Sequence, residues 1–195
     1  MKRLLWVVLL VTLALPLAAF ADSSVDFTNS GGTLSGDSSG LTLSNSTLIA
    51  INGINGLQTG SLGTLSFSTG ALTSGDLQSG ATFAAGGNFT ITSNTLGTLF
   101  SGSFDGPVTW SLVTLANGTH NYTLSGSISG SWEGMGTVYG ATVQLTINTG
   151  KGFFNGSTSI SSGDTNIVVP EPGSLTLIGT GLVGLAGILK RKLKA

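Results

Sequence analysis

Apolar and hydroxyl-bearing residues alternate along most of the chain between residues 23 and 169. Within each run, every second side chain is aliphatic or aromatic and the residue between is mostly Ser or Thr. This period of two is expected of a strand with one buried face and one solvated face. No stretch of this region shows the spacing of an amphipathic helix. The alternating runs are residues 41–44, 63–68, 88–92, 108–112, 122–130 and 141–148.

Asn-Gly pairs mark breaks between these runs. They occur at residues 52–53, 55–56, 117–118 and 155–156, and each suits a type I′ hairpin turn because Asn and Gly tolerate a positive φ. The pair at 117–118 gives the clearest predicted hairpin. Strands separated by turns at about 8–12-residue spacing predict an all-β fold, an antiparallel β-sandwich, in a single domain. A β-helix or other solenoid is the alternative, since short strands rich in Gly and Asn also suit stacked coils.

The first 21 residues have the layout of a secretory signal peptide. Lys2 and Arg3 give a positive start, residues 4–15 are apolar apart from one Thr, and Ala19 and Ala21 form an A-x-A cleavage site. We expect this segment to be a helix that a signal peptidase removes after Ala21. An uncleaved anchor is the alternative, but a span needs ~20 apolar residues. The sequence therefore predicts export across the inner membrane.

The last 27 residues, 169–195, form a second special segment. Pro170, Glu171 and Pro172 give a stiff, extended stalk, and residues 175–189 that follow are uncharged. As a helix this run is about 22 Å long, short for a membrane core of ~30 Å. The apolar residues predicted to lie in the membrane are Leu175, Leu177, Ile178, Leu182, Val183, Leu185, Ile188 and Leu189.

A basic cluster closes the chain directly after the apolar run. Because basic residues stay on the cytoplasmic side, the cluster stops transfer and leaves residues 22–168 outside. The cluster consists of Lys190, Arg191, Lys192 and Lys194.

The order of these parts resembles the PEP-CTERM sorting signal of exported bacterial proteins. The resemblance covers about the last 26 residues of the chain, from the Pro-Glu-Pro triplet at 170–172 to the basic cluster. It implies a Gram-negative, exopolysaccharide-making bacterium, whose exosortase, a membrane protease or transpeptidase, recognises the tail. The protein would be anchored transiently and then delivered to the cell surface or extracellular matrix. A plain C-terminal transmembrane anchor is the alternative.

Charge is segregated along the chain. Charged residues are 8% of the whole, and residues 22–169 hold one base, Lys151, against seven acids, a net charge of −6. A domain with one Lys and no Arg cannot neutralise a phosphate backbone, which excludes nucleic-acid binding. The chain has no Cys and one His, so neither a disulfide framework nor an ordinary zinc site can form, and we expect no cofactor or metal.

Candidate chemistry in the domain is sparse. His120 lies two residues after an Asn-Gly turn, and we expect a solvated side chain on a hairpin rim rather than a catalytic one. Glu133 beside Trp132 is the most suggestive pair, since an aromatic ring next to an acid could bind sugar. The favoured interpretation is that Trp132 is core and Glu133 is solvated. Asp164 and Asn166 offer too few oxygens for a calcium site.

These observations predict an exported structural or adhesive protein of the cell surface or matrix that is not an enzyme. Its uncharged, hydroxyl-rich surface suits hydrated exopolysaccharide as a partner. The alternative is a secreted carbohydrate-active enzyme or carbohydrate-binding module that uses Glu133. A glycosidase would need a second carboxylate at ~5–10 Å from the first.

Overall fold

The computed structural model describes residues 23–53, 56–134 and 136–169. The predicted signal-peptide helix at 1–21 and the predicted membrane helix at 175–189 lie outside these residues. The described part consists of strands joined by turns and loops. Its strands are β1 (Ser23–Ser30), β2 (Thr33–Asp37), β3 (Gly40–Gly53), β4 (Gly56–Ser68), β5 (Leu72–Asp76), β6 (Gly80–Phe83), β7 (Gly86–Ser93), β8 (Gly97–Phe104), β9 (Val108–Thr114), β10 (His120–Trp132), β11 (Gly136–Asn148), β12 (Ser157–Ser159) and β13 (Ser162–Val169).

Eight of these strands close into an antiparallel barrel. Their order around the ring is β1, β3, β4, β7, β8, β10, β11 and β13, and β13 pairs back with β1. The predicted all-β class is therefore right, but the predicted sandwich is wrong, and so is the β-helix alternative. Closure leaves no free edge within the ring, which removes the usual site of strand-to-strand aggregation.

Long, bent strands explain why the sheet closes. The alternation in the sequence marked short segments, whereas β3, β4, β10 and β11 are each 13 or 14 residues long. The pairing of β3 with β4 shifts register beside Asn45, which has a φ of 55°, and that of β10 with β11 shifts between Ile128 and Gly130. Bulges of this kind bend a strand and raise its twist, so a long strand can follow a curved wall.

Two inward-facing glycines let neighbouring strands approach closely. A Cβ added to Gly63 would lie 1.9 Å from the carbonyl oxygen of Thr92, and one added to Gly130 would lie 2.3 Å from that of Ser101. A side chain at either place would collide with the backbone of the next strand. These glycines therefore permit the tight curvature that the ring needs.

The inside of the barrel is filled with side chains. Phe67, Phe89, Phe100 and Phe104 contact one another with ring centroids 5.6–6.1 Å apart. Residues 24–169 form one compact unit with a single apolar core.

Five further strands extend the wall at one end. β2 and β12 continue the sheet from the first residues of β3, and β9, β6 and β5 continue it from the first half of β10. β10 pairs with both β8 and β9 along one edge, because its residues 120–125 pair with β9 and its residues 128–132 pair with β8. We call this end of the barrel the far end.

The opposite end, which we call the mouth, carries the turns β3–β4, β7–β8 and β10–β11. Ser23 and Val169 also lie here, because β1 begins and β13 ends at the mouth on neighbouring antiparallel strands. The chain therefore enters and leaves the described unit at the same end.

The predicted hairpin at 117–118 is confirmed in position but not in turn type. β9 and β10 pair antiparallel on either side of it, and Gly118 has a φ of 80°. The loop runs from Leu115 to Thr119, so it is longer than a two-residue type I′ turn. The amide of Leu115 donates to the carbonyl of Thr119 at 2.8 Å and closes it.

Candidate functional site

A cleft of about 380 Å³ opens inside the mouth of the barrel. Its walls come from the first residues of β1, the end of β3, the start of β4, the β7–β8 turn, β8 and the end of β10. The lining residues are Val25, Phe27, Ile51, Gly53, Gly56, Gln58, Leu96, Leu99, Trp132 and Glu133. Most of this surface is apolar, and the polar side chains are Gln58 and Glu133.

Trp132 forms one side of the cleft. It is the last residue of β10 and lies opposite Phe100 on β8 and Gly136 on β11. Its ring contacts Phe27 across the barrel, with centroids 5.5 Å apart and planes at 49°. The side chain is only partly buried, so Trp132 packs against the core while part of the ring faces the cleft.

Glu133 follows Trp132 in the β10–β11 turn and is exposed, as the sequence predicted. Its amide donates to the carbonyl of Leu99 at 3.0 Å, which fixes the turn against β8. Glu133 is the one carboxylate among the described residues that line the cleft. The pair of carboxylates that a glycosidase needs is therefore not assembled from these lining residues.

Sequence reasoning missed the other walls of the cleft. Val25, Phe27, Ile51 and Leu99 belong to the same alternating pattern as the core, and nothing local separates a cleft wall from a buried wall. The structure places Leu96 in the short turn between β7 and β8, where it is 71% exposed. A large apolar side chain at a turn is a reason to look for a binding surface.

His120 does not lie where the sequence predicted. The expected solvated rim position is wrong, since the side chain is only 8% exposed. Its ring stacks on Phe153 with centroids 4.2 Å apart, and Nδ1 lies 3.2 Å from the carbonyl oxygen of Gly152. The loop after β11 folds over the start of β10 and covers the imidazole. The hydrogen bond joins it to a backbone carbonyl and not to a Ser or Asp side chain.

Asp164 and Asn166 lie on the outer face of β13 close to Asp26 of β1. Partial burial raises the pKa of Asp26 above its usual value, the charge of Asp164 raises it further, and a hydrogen bond from Asn166 partly offsets both. Among residues 23–53, 56–134 and 136–169, no group of three or more His, Cys, Asp or Glu side chains is placed to hold a metal ion.

The other aspartates among the described residues, Asp37, Asp76 and Asp105, are held by hydrogen bonds. Asp37 and Asp76 accept bonds from backbone amides of their own turns, at 2.7 and 2.8 Å. Asp105 accepts the hydroxyls of Ser127 and Ser129 on β10. These hydroxyl bonds hold the pKa of Asp105 below its usual value. The three carboxylates therefore stabilise turns and strand ends, a structural use.

The outer wall carries continuous rows of hydroxyl groups. One row crosses five strands from β1 to β8, and another crosses five strands from β4 to β11. In each row every residue lies directly opposite the next across a strand pair. The first row is Ser30, Thr47, Thr64, Thr92 and Thr98, and the second is Ser66, Thr90, Ser101, Ser131 and Thr137.

Neighbouring strands lie ~4.8 Å apart, so each row repeats a hydroxyl at that spacing around the wall. The rows contain no charged side chain. The wall can therefore offer many donors and acceptors to a hydrated, uncharged polymer.

Comparison with known families bears on the last residues of the chain. The model of the PEP-CTERM protein-sorting motif matches residues 168–192. The chain carries a PEP-CTERM sorting domain. The match begins at the last residues of β13 and includes the Pro-Glu-Pro triplet, the predicted span at 175–189 and the start of the basic cluster. The resemblance stated from the sequence is thereby confirmed.

The PEP-CTERM motif implies export and exosortase-type sorting at the C-terminus, with an exosortase as the partner. The motif residues at 170–172, the basic cluster at 190–194 and the cleavage residues Ala19 and Ala21 lie outside the described part of the structure. No curated protein and no solved structure matches the chain.

Over the part of the chain that the structure describes, there is no helix of the length and hydrophobicity needed to cross a membrane.

Proposed function

We propose that the barrel is a non-catalytic structural or adhesive component of the cell surface or extracellular matrix, and that it associates with neutral exopolysaccharide. The observation that carries this proposal is the pair of hydroxyl rows on the outer wall. Surfaces of this kind bind by many weak hydrogen bonds, and repetition along a polymer converts weak contacts into useful avidity.

The charge of the domain supports the same partner. With one base against seven acids between residues 22 and 169, the domain repels anionic polymers. A neutral polysaccharide faces no such repulsion, and it can exchange its hydration shell for Ser and Thr hydroxyls.

The delivery step is tested by intact mass and cell fractionation of the native protein and of a variant with residues 170–172 replaced by alanines. We expect the native protein to lose its tail and leave the membrane fraction, while the variant stays full-length and membrane-bound. If both remain full-length in the membrane, the tail is only an anchor and the matrix destination fails.

The adhesive step is tested by co-sedimentation of the full chain with neutral exopolysaccharide from its own host. Thr90→Lys with Ser101→Lys places two cations in the middle of the second row and should weaken binding. The matched control is Ser38→Lys with Ser74→Lys, which makes the same charge change at exposed sites outside both rows. Equal binding by the two variants, or none by the unmodified chain, would contradict the proposal.

The alternative, a carbohydrate-active enzyme or binding module centred on Trp132 and Glu133, has less support. The cleft supplies one described carboxylate, and Phe27 packs on the ring that a sugar would stack against. We therefore place polysaccharide contact on the outer wall and not in the cleft.

A further inference from the structure

The mouth cleft has the composition of a site for an alkyl chain. Six of its lining side chains are aliphatic or aromatic, and they come from β1, β3, the β7–β8 turn, β8 and β10. Gln58 and Glu133 are both exposed, so the polar groups of the lining lie where the cleft meets solvent. This is an apolar chamber with a polar rim.

Size and shape favour a slender ligand. The volume of about 380 Å³ lies near the lower end of the ~300–1,000 Å³ range of small-molecule sites. Phe27 is tilted at 49° against Trp132, so the two rings form an uneven apolar wall. A sugar ring binds by stacking on an open face, whereas a flexible hydrocarbon chain can follow an irregular apolar slot.

The charges around the cleft restrict the head group of such a ligand. Glu133 places a carboxylate at the rim, which disfavours a carboxylate or phosphate head. Lys151, the one base between residues 22 and 169, lies in the loop after β11 at the far end. The Gln58 amide can both donate and accept hydrogen bonds, and Glu133 can accept them, so hydroxyl groups suit the rim.

We propose that the mouth cleft binds the acyl chain of a single-chain amphiphile with an uncharged, hydroxylated head group, of the monoacylglycerol class. The chain lies against Phe27, Leu99 and Trp132, and the head group lies between Gln58 and Glu133. This site is separate from the hydroxyl rows of the outer wall. Its test does not depend on polysaccharide binding.

The two domain tryptophans make the proposal measurable, because Trp132 lies at the mouth and Trp110 at the far end. The full chain, in a Trp6→Phe background, is reconstituted in nanodiscs of saturated phospholipid. A monoacylglycerol whose chain ends in a vicinal dibromide is then added below its micelle-forming concentration. Bromine quenches only nearby indoles, so Trp110→Phe reports on Trp132 and Trp132→Phe reports on Trp110.

We expect saturable quenching in the Trp110→Phe variant that unlabelled monoacylglycerol reverses, and no quenching in the Trp132→Phe variant. The fatty acid with the same brominated chain should bind about two- to fivefold more weakly, because its carboxylate meets Glu133. Glu133→Gln should remove that difference. Leu96→Ser should weaken binding of the monoacylglycerol, and Val113→Ser, a like change at an exposed far-end residue, should not.

Three results would overturn the proposal. Quenching that does not saturate, or that brominated phospholipid in the nanodisc reproduces, would mean that Trp132 merely lies near the bilayer. Displacement of the probe by a neutral oligosaccharide would assign the cleft to sugar. Equal quenching of Trp110 and Trp132 would mean that the probe has no defined site.

Discussion

Among the described residues, each end of the barrel holds one tryptophan, and the surroundings of the two rings differ. At the far end, Trp110 is 1% exposed, stacks on Tyr122 at 4.9 Å and meets the edge of Phe154 at 5.4 Å. Its Nε1 donates to the carbonyl of Leu77 at 2.9 Å. At the mouth, Trp132 has one aromatic neighbour among the described residues, Phe27, and part of its ring faces the cleft.

The difference follows from where the chain places its extra segments. β5, β6 and the loop after β11 all lie at the far end, and the Tyr122 hydroxyl joins the turn between β5 and β6 to that loop. It donates to the carbonyl of Gln78 at 2.7 Å and accepts the amide of Phe154 at 3.1 Å. Among the described residues, the turns β3–β4, β7–β8 and β10–β11 border the mouth. The extra segments therefore cover the far end, whereas the described turns of the mouth leave a cleft between them.

The largest expected effect is a contrast between the two rings. Trp110→Ala should lower the free energy of unfolding by about 3–5 kcal/mol, because it empties a filled, sealed volume. Trp132→Ala should cost about 1–2 kcal/mol, because that ring is already partly solvated. Denaturant unfolding measures both, with the exposed Tyr139→Ala as control. Equal losses of unfolding free energy in Trp110→Ala and Trp132→Ala would contradict the predicted difference between the two ends.

The seal itself is tested by Tyr122→Phe. The substitution keeps the ring but leaves the carbonyl of Gln78 and the amide of Phe154 without their partner, at a cost of about 1–3 kcal/mol. Tyr139→Phe is the matched control, since that side chain is 76% exposed and should change stability little. Hydrogen exchange at the Phe154 amide should speed up in the first variant only. An unchanged exchange rate would mean that the hydroxyl does not hold the loop.

A smaller effect is expected between the ends, on β13. Among the described residues, the Thr165 hydroxyl is the buried side-chain group without a hydrogen-bond partner. Thr165→Val keeps the shape and should stabilise the protein by about 1 kcal/mol, since it removes a buried group that has lost its water. Ser46→Ala should do the opposite, because it removes the acceptor of Asn29 Nδ2 at 2.7 Å. Thermal melts of both variants check the pair, and loss of stability in both would contradict the prediction.

The smallest effects concern pH and have opposite signs for two aspartates. The raised pKa of Asp26 means that its ionisation opposes folding, so Asp26→Asn should be the more stable form at neutral pH. The lowered pKa of Asp105 means that its ionisation favours folding, so Asp105→Asn should be the less stable form there.

The difference in stability between each Asp→Asn variant and the unmodified chain should shrink as the pH falls. It should vanish once the aspartate is protonated in the folded as well as the unfolded chain. The contribution of Asp105 is lost as the pH falls through its lowered pKa, and the penalty at Asp26 is relieved as the pH falls through its raised pKa. Urea midpoints of each variant and of the unmodified chain, measured from neutral to acid pH, give the change in each stability difference with pH. If the two differences change in the same direction, the direction of one of the two pKa shifts is wrong.

The alternation of Ser and Thr with apolar residues predicted parts of six strands, β3, β4, β7, β9, β10 and β11, and which of their faces lies inside. It did not mark β1, β2, β5, β6, β8, β12 or β13. Closure could not be predicted in this way, because it depends on pairing between β1 and β13 and between β10 and its two partners. Those contacts join segments that are distant in the sequence and carry no local mark. The bulges beside Asn45 and Gly130, which allow the curvature, also look like ordinary polar interruptions.

The candidate site was predictable only in part. Trp132 and Glu133 stood out because they are adjacent in the sequence, and Glu133 is solvated as expected. Phe27 and Leu99 complete the cleft only after the barrel brings their strands beside β10. His120 was misjudged because the loop that covers it begins almost 30 residues later. The sorting tail, by contrast, was readable because its parts follow one another along the chain.

The position of Val169 has a mechanical consequence. β13 ends at the mouth, its residues 162–166 pair with β11 on one side, and β1 pairs on the other. A pulling force that enters through the C-terminal segment, while the far end is held, acts nearly along β13 and perpendicular to its hydrogen bonds. The hydrogen bonds on both edges of β13 then share the load, so they must break together and cannot break one at a time.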